Sequence, residues 1–168
     1  MNPRTYFILI SSFLFLSLLS SCTGKSILDE ERTFENNVWN RFTPEVFEFS
    51  VGNIDDYYNI DVTAVIDTAV YRYRTVPLLI NLNSPNGEQR SFYSEVPFTE
   101  NGRWRGEMLS SNSSLRSASR RIRAFFSFNS TGSHRMEIGQ TTSQYDLEGI
   151  RSIHVTISRA PLDYDMDK

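Results

Sequence analysis

Apolar and polar residues alternate with a period of two along most of this chain. Because successive side chains of a strand point to opposite faces, each such run predicts a strand with one buried and one solvent-facing side. The clearest run lies near the end, where Ile153, Val155 and Ile157 alternate with polar residues. Similar runs cover residues 47–51, 60–66, 78–82, 92–98, 122–128 and 136–138. No segment has the 3.6-residue period of an amphipathic helix.

Turn-forming residues separate the alternating runs. Two Asn-Gly pairs, in Ser84-Pro85-Asn86-Gly87 and at Asn101-Gly102, favour hairpins because both residues tolerate positive φ. Ser130-Thr131-Gly132-Ser133 predicts a third hairpin turn. We therefore expect an all-β domain over residues 34–160, a single antiparallel β-sandwich of the jelly-roll or immunoglobulin-like type. Six serines among residues 110–121 predict a mobile loop there.

The beginning of the chain has a different pattern. Arg4 precedes an apolar run from Tyr6 to Leu19, interrupted only by serines. This run is shorter than the roughly 20 apolar residues of a transmembrane helix, and with its small flanking residues it predicts a secretory signal peptide. Leu19-Ser20-Ser21-Cys22 resembles the lipobox of bacterial lipoproteins. We expect residues 1–21 to be removed and Cys22 to carry the lipid.

Cysteine usage agrees with acylation, because Cys22 is the single cysteine of the chain. A thiol can accept a diacylglyceryl group, and more than one acyl chain is needed for stable anchoring. Residues 22–33 are predicted to form a lipidated tether, and residues 161–168 an acidic, disordered tail. No acidic residue directly follows Cys22, so we expect an outer-membrane lipoprotein that faces the periplasm.

Charge excludes one class of partner. Without Arg4 the protein has 16 basic and 20 acidic residues, a net charge of −4, which gives no reason to expect nucleic acid. Arg116, Arg120, Arg121 and Arg123 form a basic cluster, but serines rather than stacking aromatics surround it. A solvated loop is the simpler interpretation, and contact with anionic lipid or a partner protein is the alternative.

Metal and cofactor sites are not predicted. His134 and His154 are the two histidines, and no cysteine or acidic cluster accompanies them, so the sequence indicates no metal site. Asp163, Asp165 and Asp167 have the spacing that begins a calcium loop but lack its glycine and distal glutamate. There is no glycine-rich phosphate loop, and no cofactor is expected.

Catalytic residues are not predicted either. Spacing does not single out a Ser/His/Asp set. Asp55, Asp56 and Asp61 could in principle supply the two carboxylates of a glycoside hydrolase, which is the weakest of the functional hypotheses. We expect the protein not to be an enzyme.

Trp39 and Trp104 allow two interpretations. On a sandwich face, large aromatic side chains can stack on sugar rings, which would make them a glycan-binding surface. They are also common core or edge anchors, and we favour that interpretation because large aromatic residues are mostly buried.

Several segments together resemble the GldH gliding-motility lipoproteins of the Bacteroidetes. The segments that carry this resemblance are Asn37-Val38-Trp39-Asn40, Tyr58-Asn59-Ile60, Pro85-Asn86-Gly87, Asn101-Gly102-Arg103-Trp104-Arg105-Gly106 and Leu147-Glu148-Gly149-Ile150. The resemblance implies an envelope lipoprotein required for gliding and linked to the export of surface adhesins. It implies no catalytic residues. Within that phylum, Asp67-Thr68-Ala69 also looks like a short O-glycosylation site.

Two functions therefore compete. The leading one is a non-enzymatic scaffold lipoprotein, held in the membrane through Cys22 and bound to other envelope proteins of a motility or secretion complex. The other is a lipid-anchored carbohydrate-binding module that uses Trp39 and Trp104.

Overall fold

The computed structural model describes residues 26–111 and 113–161. The predicted signal peptide, Cys22 and nearly all of the predicted acidic tail lie outside the described residues. Within the described ranges, no helix is long and apolar enough to cross a membrane.

The described residues form strands in almost every segment. One short 3-10 turn at Glu35–Asn37 is the exception. The strands are β1 Ser26–Thr33, β2 Val38–Asn40, β3 Glu45–Val51, β4 Tyr57–Asp67, β5 Thr75–Asn83, β6 Gln89–Pro97, β7 Thr99–Glu100, β8 Arg103–Trp104, β9 Glu107–Met108, β10 Leu115–Ser127, β11 Gly132–Gln140, β12 Asp146–Glu148 and β13 Ile150–Arg159.

Two antiparallel sheets pack face to face. The larger has the strand order β1-β13-β4-β10-β9, and the smaller has the order β3-β11-β5-β6. β1 contacts β3 at one side of the sandwich, and β10 contacts β6 at the other. Two-stranded ribbons, β2 with β12 and β7 with β8, lie beside these sheets. The predicted all-β, antiparallel sandwich is confirmed.

The alternating residues supply the core, as the sequence predicted. Ile153, Val155 and Ile157 of β13 have no exposed surface, and the inward residues of β4 are buried in the same sheet. The inward residues of β3, β5, β6 and β11 are buried on the facing sheet. Full burial of one such side chain stabilises the fold by about 1.5–3 kcal/mol. The residues that alternate with Ile153, Val155 and Ile157 are polar, so β13 has one defined orientation in its sheet.

β1 was missed by the sequence analysis. Ser26–Thr33 pairs along its length with β13, with Glu30 opposite Val155, so the sandwich begins at residue 26 and the predicted boundary at residue 34 is wrong. The strand lies at a sheet edge and only Leu28 is fully buried. Charged residues are typical of edge strands because they discourage pairing with other chains, and they hide the alternation.

The predicted loop at residues 110–121 is also wrong from Leu115 onward. That segment begins β10, which pairs with β4 on one side and β9 on the other. Its polar side chains bond across the sheet, as the hydroxyls of Ser119 and Thr63 do at 2.6 Å. Serine-rich composition favours loops, but pairing with a long apolar neighbour strand decides the conformation.

β10 breaks its alternation near its end. The register with β4 shifts between Arg121 and Arg123 and again between Arg123 and Phe126. Phe125 takes a left-handed φ of 51°, and both Ala124 and Phe125 are exposed. The prediction that Ala124 points inward is therefore wrong, because the bulge takes residues 124 and 125 out of the regular pairing with β4.

The three predicted turns have different outcomes. Asn101 and Gly102 have φ of 50° and 74° in the two-residue turn between β7 and β8, as predicted. The turn at residues 84–87 joins β5 to β6, with Gly87 N donating to Ser84 O at 3.0 Å. There only Gly87 of the Asn-Gly pair has positive φ, since Pro85 at the second position favours a type I turn. Ser130–Ser133 lies where the chain passes from one sheet to the other, so the predicted hairpin is wrong.

Gly149, between β12 and β13, lies close to the backbone of Tyr71. Its φ is 80°, and an added Cβ would lie 2.7 Å from Tyr71 N. We expect Gly149→Ala to lower the free energy of unfolding by about 1–3 kcal/mol more than Gly87→Ala, by steric overlap. Gly87 is a matched control, because its φ is 86° and nothing lies within 4 Å of its added Cβ. Equal losses in urea unfolding of the two variants would contradict the steric explanation.

Candidate functional site

Trp39 is a core residue. It is 1% exposed, stacks on Phe34 with ring centroids 4.8 Å apart, and donates from Nε1 to Thr43 O at 3.1 Å. A sugar cannot reach this ring. The core interpretation is confirmed for Trp39, and its assignment as a surface aromatic is wrong.

Trp104 is a surface aromatic. It lies in β8 and is 39% exposed. Glu100, Asn101, Arg103 and Arg105 surround it in an open cavity of about 460 Å³. Because Trp39 belongs to the β2–β12 ribbon and Trp104 to the β7–β8 ribbon, the structure does not combine the two into one site.

A stronger candidate surface lies on the outer face of the smaller sheet. Tyr93 of β6 is 74% exposed, and it sits opposite Leu79 of β5, which sits opposite Gly139 of β11. Pro44 lies at the end of this row, beside Gly139. Its Cβ is 3.8 Å from the position that a Cβ on Gly139 would occupy. We call this row the Tyr93 face. It lines a shallow groove of about 570 Å³.

Polar side chains form the next row of the same face. Ser91, Asn81 and Glu137 sit opposite one another across β6, β5 and β11. The Ser91 hydroxyl donates to Asn81 Oδ1 at 2.7 Å. An exposed tyrosine ring beside amide, hydroxyl and carboxylate groups offers both stacking and hydrogen bonding.

An exposed aromatic pair lies at the end of this groove. Phe42 and Tyr145 are 71% and 66% exposed, and their ring centroids are 5.6 Å apart. The backbone N–H of Arg41 donates to Tyr145 O at 2.7 Å, and the Arg41 guanidinium lies 6.0 Å from the Phe42 ring. We call these three residues the Phe42–Tyr145 cluster. Arg41 also lines the groove, so the cluster and the Tyr93 face adjoin.

Sequence reasoning missed these aromatic residues for a definable reason. Tyr93 occupies an outward position of an alternating run, between two predicted inward positions, and an aromatic residue there was a usable signal. Phe42 and Tyr145 lie outside the runs, and only the packing of distant segments brings them together.

The basic cluster is largely engaged with the protein itself. The Arg123 guanidinium lies 4.1 Å from the Phe92 ring centroid, Arg121 pairs with Asp61 at 3.0 Å, and Arg116 donates to Gly106 O at 3.2 Å. These contacts place the cluster in a strand rather than in a solvated loop.

Two of the three carboxylates considered for a hydrolase, those of Asp56 and Asp61, are bound in ion pairs with arginines. Asp56 pairs with Arg159 at 2.7 Å, and Asp61 pairs with Arg121. A glycosidase needs two carboxylates that face a common substrate bond. The structure supports structural ion pairs for these groups.

Thr68 lies in the turn that follows β4. Its hydroxyl donates to Ser114 O at 2.8 Å, and Asp67 Oδ1 accepts from Ala69 N at 3.0 Å. The side chain is half-buried. The possible O-glycosylation site therefore has a hydroxyl that is already bonded to the protein.

The two histidines are in different environments. His134 is buried, stacks on Phe49 with centroids 5.6 Å apart, and bonds through Nδ1 to Gly132 O at 3.0 Å. His154 is part-exposed, with Nε2 2.5 Å from Asp29 Oδ1. In the part of the chain that the structure describes, no group of three or more potential metal ligands occurs.

His134 should make stability depend on pH. Burial lowers the pKa of His134 from its usual value near 6.5. Well above pH 6.5 the His134 imidazole is neutral in both the folded and the unfolded state, so it contributes no pH dependence. As the pH falls below about 6.5, the unfolded chain binds the proton more readily than the folded protein does, and the free energy of unfolding falls. We expect His134→Phe to lose less stability than the parent protein between about pH 7 and about pH 5.

The control for this experiment is His154→Gln, which removes the part-exposed histidine. Unfolding midpoints in urea at several pH values measure the difference. If His134→Phe and the parent protein lose stability equally on acidification, the assigned role of His134 is wrong.

Comparisons with known proteins give one family match. The sequence model of the GldH lipoprotein family matches residues 26–157, which span both sheets. No curated protein sequence matches the chain.

Solved structures give weak similarities. A serine protease of Aeromonas sobria in complex with its chaperone is 14% identical with a TM-score of 0.34, covering 88% of this chain and 29% of that one. A family GH115 4-O-methyl-α-glucuronidase is 15% identical with a TM-score of 0.36, and the match covers 83% of this chain and 16% of that one. The CBM22-1 xylan-binding domain of Paenibacillus barcinonensis Xyn10C is 10% identical with a TM-score of 0.31, and the match covers 83% of this chain and 97% of that one. This chain thus spans less than a third of the first two proteins, and the TM-scores carry no conclusion about function.

Proposed function

Because the chain belongs to the GldH lipoprotein family, we propose that it is a membrane-anchored envelope lipoprotein that acts, without catalysis, in gliding motility or the associated secretion machinery. The observation that carries the proposal is the family match over residues 26–157. Cys22, at the end of the lipobox-like Leu19-Ser20-Ser21-Cys22, lies just before the matched range. A lipid on that residue would tether the sandwich directly to the bilayer.

The outer membrane, with the domain in the periplasm, is the location we propose. The motivation is the absence of an acidic residue directly after Cys22, where the sequence reads Thr23-Gly24-Lys25. Fractionation of inner and outer membranes, with protease added to whole cells and to opened cells, distinguishes the alternatives. Cleavage in whole cells would place the domain on the cell surface instead.

A scaffold role needs a surface that other envelope proteins can bind. The Phe42–Tyr145 cluster supplies exposed aromatic rings next to an arginine, and aromatic residues and arginine are enriched in protein–protein interfaces relative to the rest of the surface. A backbone hydrogen bond from Arg41 N–H to Tyr145 O connects the two segments that form the cluster. We propose that this cluster is the contact with the motility or secretion complex.

Affinity purification of the lipidated protein from native envelopes tests the proposal. After cross-linking, the tagged parent protein should recover motility or secretion components, and Phe42→Ser with Tyr145→Ser should recover less. Trp104→Ser is the matched control, since it removes an exposed aromatic from another ribbon. Recovery of no such component by the parent protein, together with normal gliding of a deletion strain, would contradict the proposed function.

Carbohydrate binding is the second candidate, and the Tyr93 face is the observation that favours it. The residues that could form such a site centre on Tyr93, with Asn81 and Glu137 beside it, because Trp39 is buried. An exposed ring next to hydrogen-bonding groups suits the apolar face and the hydroxyls of a sugar.

Glycan binding to the domain should depend on Tyr93 more than on Trp104. We expect Tyr93→Ala to weaken any binding seen on a glycan array by about tenfold, because loss of ring stacking removes about 1 kcal/mol or more. Trp104→Ala should change the affinity little. Loss of binding in Trp104→Ala alone would place the site on the β7–β8 ribbon, and an array without any signal would remove this candidate.

A further inference from the structure

One end of the sandwich lies next to the proposed anchor. β1 begins at Ser26, which pairs with Ser158 of β13, and Ser158 pairs with Asn59 of β4. Only four residue steps separate Cys22 from Ser26, and a chain of that length spans at most about 14 Å. An acylated Cys22 would therefore hold this end close to the bilayer. We call it the anchor-side end.

Three large apolar or aromatic side chains are exposed at the anchor-side end. Ile54 is 47% exposed in the loop between β3 and β4, Tyr57 is 41% exposed at the start of β4, and Phe125 is 57% exposed near the end of β10. Tyr57 is opposite Ser127 in the register of β4 and β10, and Phe125 lies two residues before Ser127 on the same strand.

Phe125 has an unusual backbone conformation. Its φ of 51° is left-handed, which bulky residues rarely adopt, and its N–H donates to Asn59 Oδ1 at 3.3 Å. The neighbouring Phe126 and Phe128 pack together with ring centroids 4.9 Å apart. Phe126 is half-buried and Phe128 is buried, whereas Phe125 is exposed to solvent. Strained backbone of this kind is a reason to look for a function.

Charge at this end does not favour contact with an anionic lipid surface, since Asp55 is exposed between Ile54 and Tyr57. Arg159 pairs with Asp56 at 2.7 Å, and Arg90 pairs with Glu88 at 2.7 Å. Paired charges give little net attraction to an anionic surface, so apolar contact is the term that remains. A tyrosine beside purely apolar side chains suits the boundary between water and acyl chains, where aromatic side chains are enriched.

We propose that Ile54, Tyr57 and Phe125 insert into the interfacial layer of the membrane that holds the lipid on Cys22, so that the sandwich stands in a fixed orientation on the bilayer. This inference rests on the acylation of Cys22 proposed above. It explains why a short link joins the anchor to a rigid sheet edge. β4 and β11 run from the anchor-side end for roughly 30 Å, at about 3.3 Å per residue, so the Phe42–Tyr145 cluster faces away from the membrane, toward partners.

Depth-sensitive labels on the full lipidated protein test the orientation. The sulfur of Cys22 is consumed by acylation, so a cysteine introduced by Phe125→Cys or Ile54→Cys is the single free thiol for a polarity-sensitive fluorophore. Tyr145→Cys is the matched control, an exposed aromatic at the opposite end. Each labelled protein is placed in vesicles of phosphatidylcholine and phosphatidylethanolamine and floated on a density gradient.

We expect the labels at positions 125 and 54 to shift their emission to the blue and to be quenched by spin-labelled lipid. The label at position 145 should stay accessible to aqueous iodide. A floating protein whose label at position 125 is as accessible to iodide as the control would overturn this inference and leave the anchor intact. A label shielded in native envelopes but not in pure lipid would show that a protein covers this end, which also overturns it. Failure to float would overturn the anchor, and the inference with it.

Discussion

Replacement of Cys22 by serine is expected to release this protein from the membrane fraction into the soluble fraction. A hydroxyl does not replace the thiol that accepts the diacylglyceryl group, so the acyl chains are lost. Each buried methylene contributes about 0.8 kcal/mol, and even one myristoyl chain gives an association constant of only about 10⁴ M⁻¹. The exposed side chains of the anchor-side end bury far less surface than two or three acyl chains, so they cannot hold the protein alone.

Fractionation of envelopes with and without radiolabelled palmitate measures this effect. The parent protein should pellet and carry label, and Cys22→Ser should do neither. Ser21→Ala is the matched control, because it keeps a small residue before the cysteine. Cys22→Ser protein that pellets as the parent does, or parent protein without palmitate, would contradict the proposed anchoring and location.

Replacement of Trp39 by alanine is expected to lower the free energy of unfolding by about 3–5 kcal/mol, a large fraction of the stability of a domain of this size. The ring is 1% exposed, stacks on Phe34 and donates to Thr43 O, so truncation leaves a cavity and an unpaired carbonyl. β2, which carries Trp39, pairs with β12 through Leu147. The loss should therefore loosen the ribbon that joins these distant segments.

Trp104→Ala is the control for that substitution. Because Trp104 is 39% exposed on a two-residue strand, its replacement should change the free energy of unfolding by no more than about 1 kcal/mol. Urea unfolding of residues 23–168, expressed without the signal and the cysteine, measures both variants. Similar losses for the two tryptophans would contradict the different roles that the structure gives them.

The candidate site shows where sequence reasoning reached its limit. Tyr93 could have been found, because an aromatic residue at an outward position of an alternating run is visible in the sequence. The pairing of Phe42 with Tyr145 could not, because about a hundred residues separate them and no local pattern predicts which loops meet. The bulge at Phe125 could not be found either, because it depends on two register shifts against β4.

The sequence by itself determined the all-β class, most of the core and the turn at Asn101-Gly102, since strand periodicity and turn chemistry act over a few residues. It also supplied the lipobox-like segment on which the proposed anchor rests. Only the tertiary structure decided that Ser26–Thr33 and Leu115–Arg121 are strands, that Trp39 is buried, and which aromatic side chains share a surface. Those outcomes depend on pairing and packing between segments far apart in the chain, and such contacts override what charged or serine-rich composition favours locally.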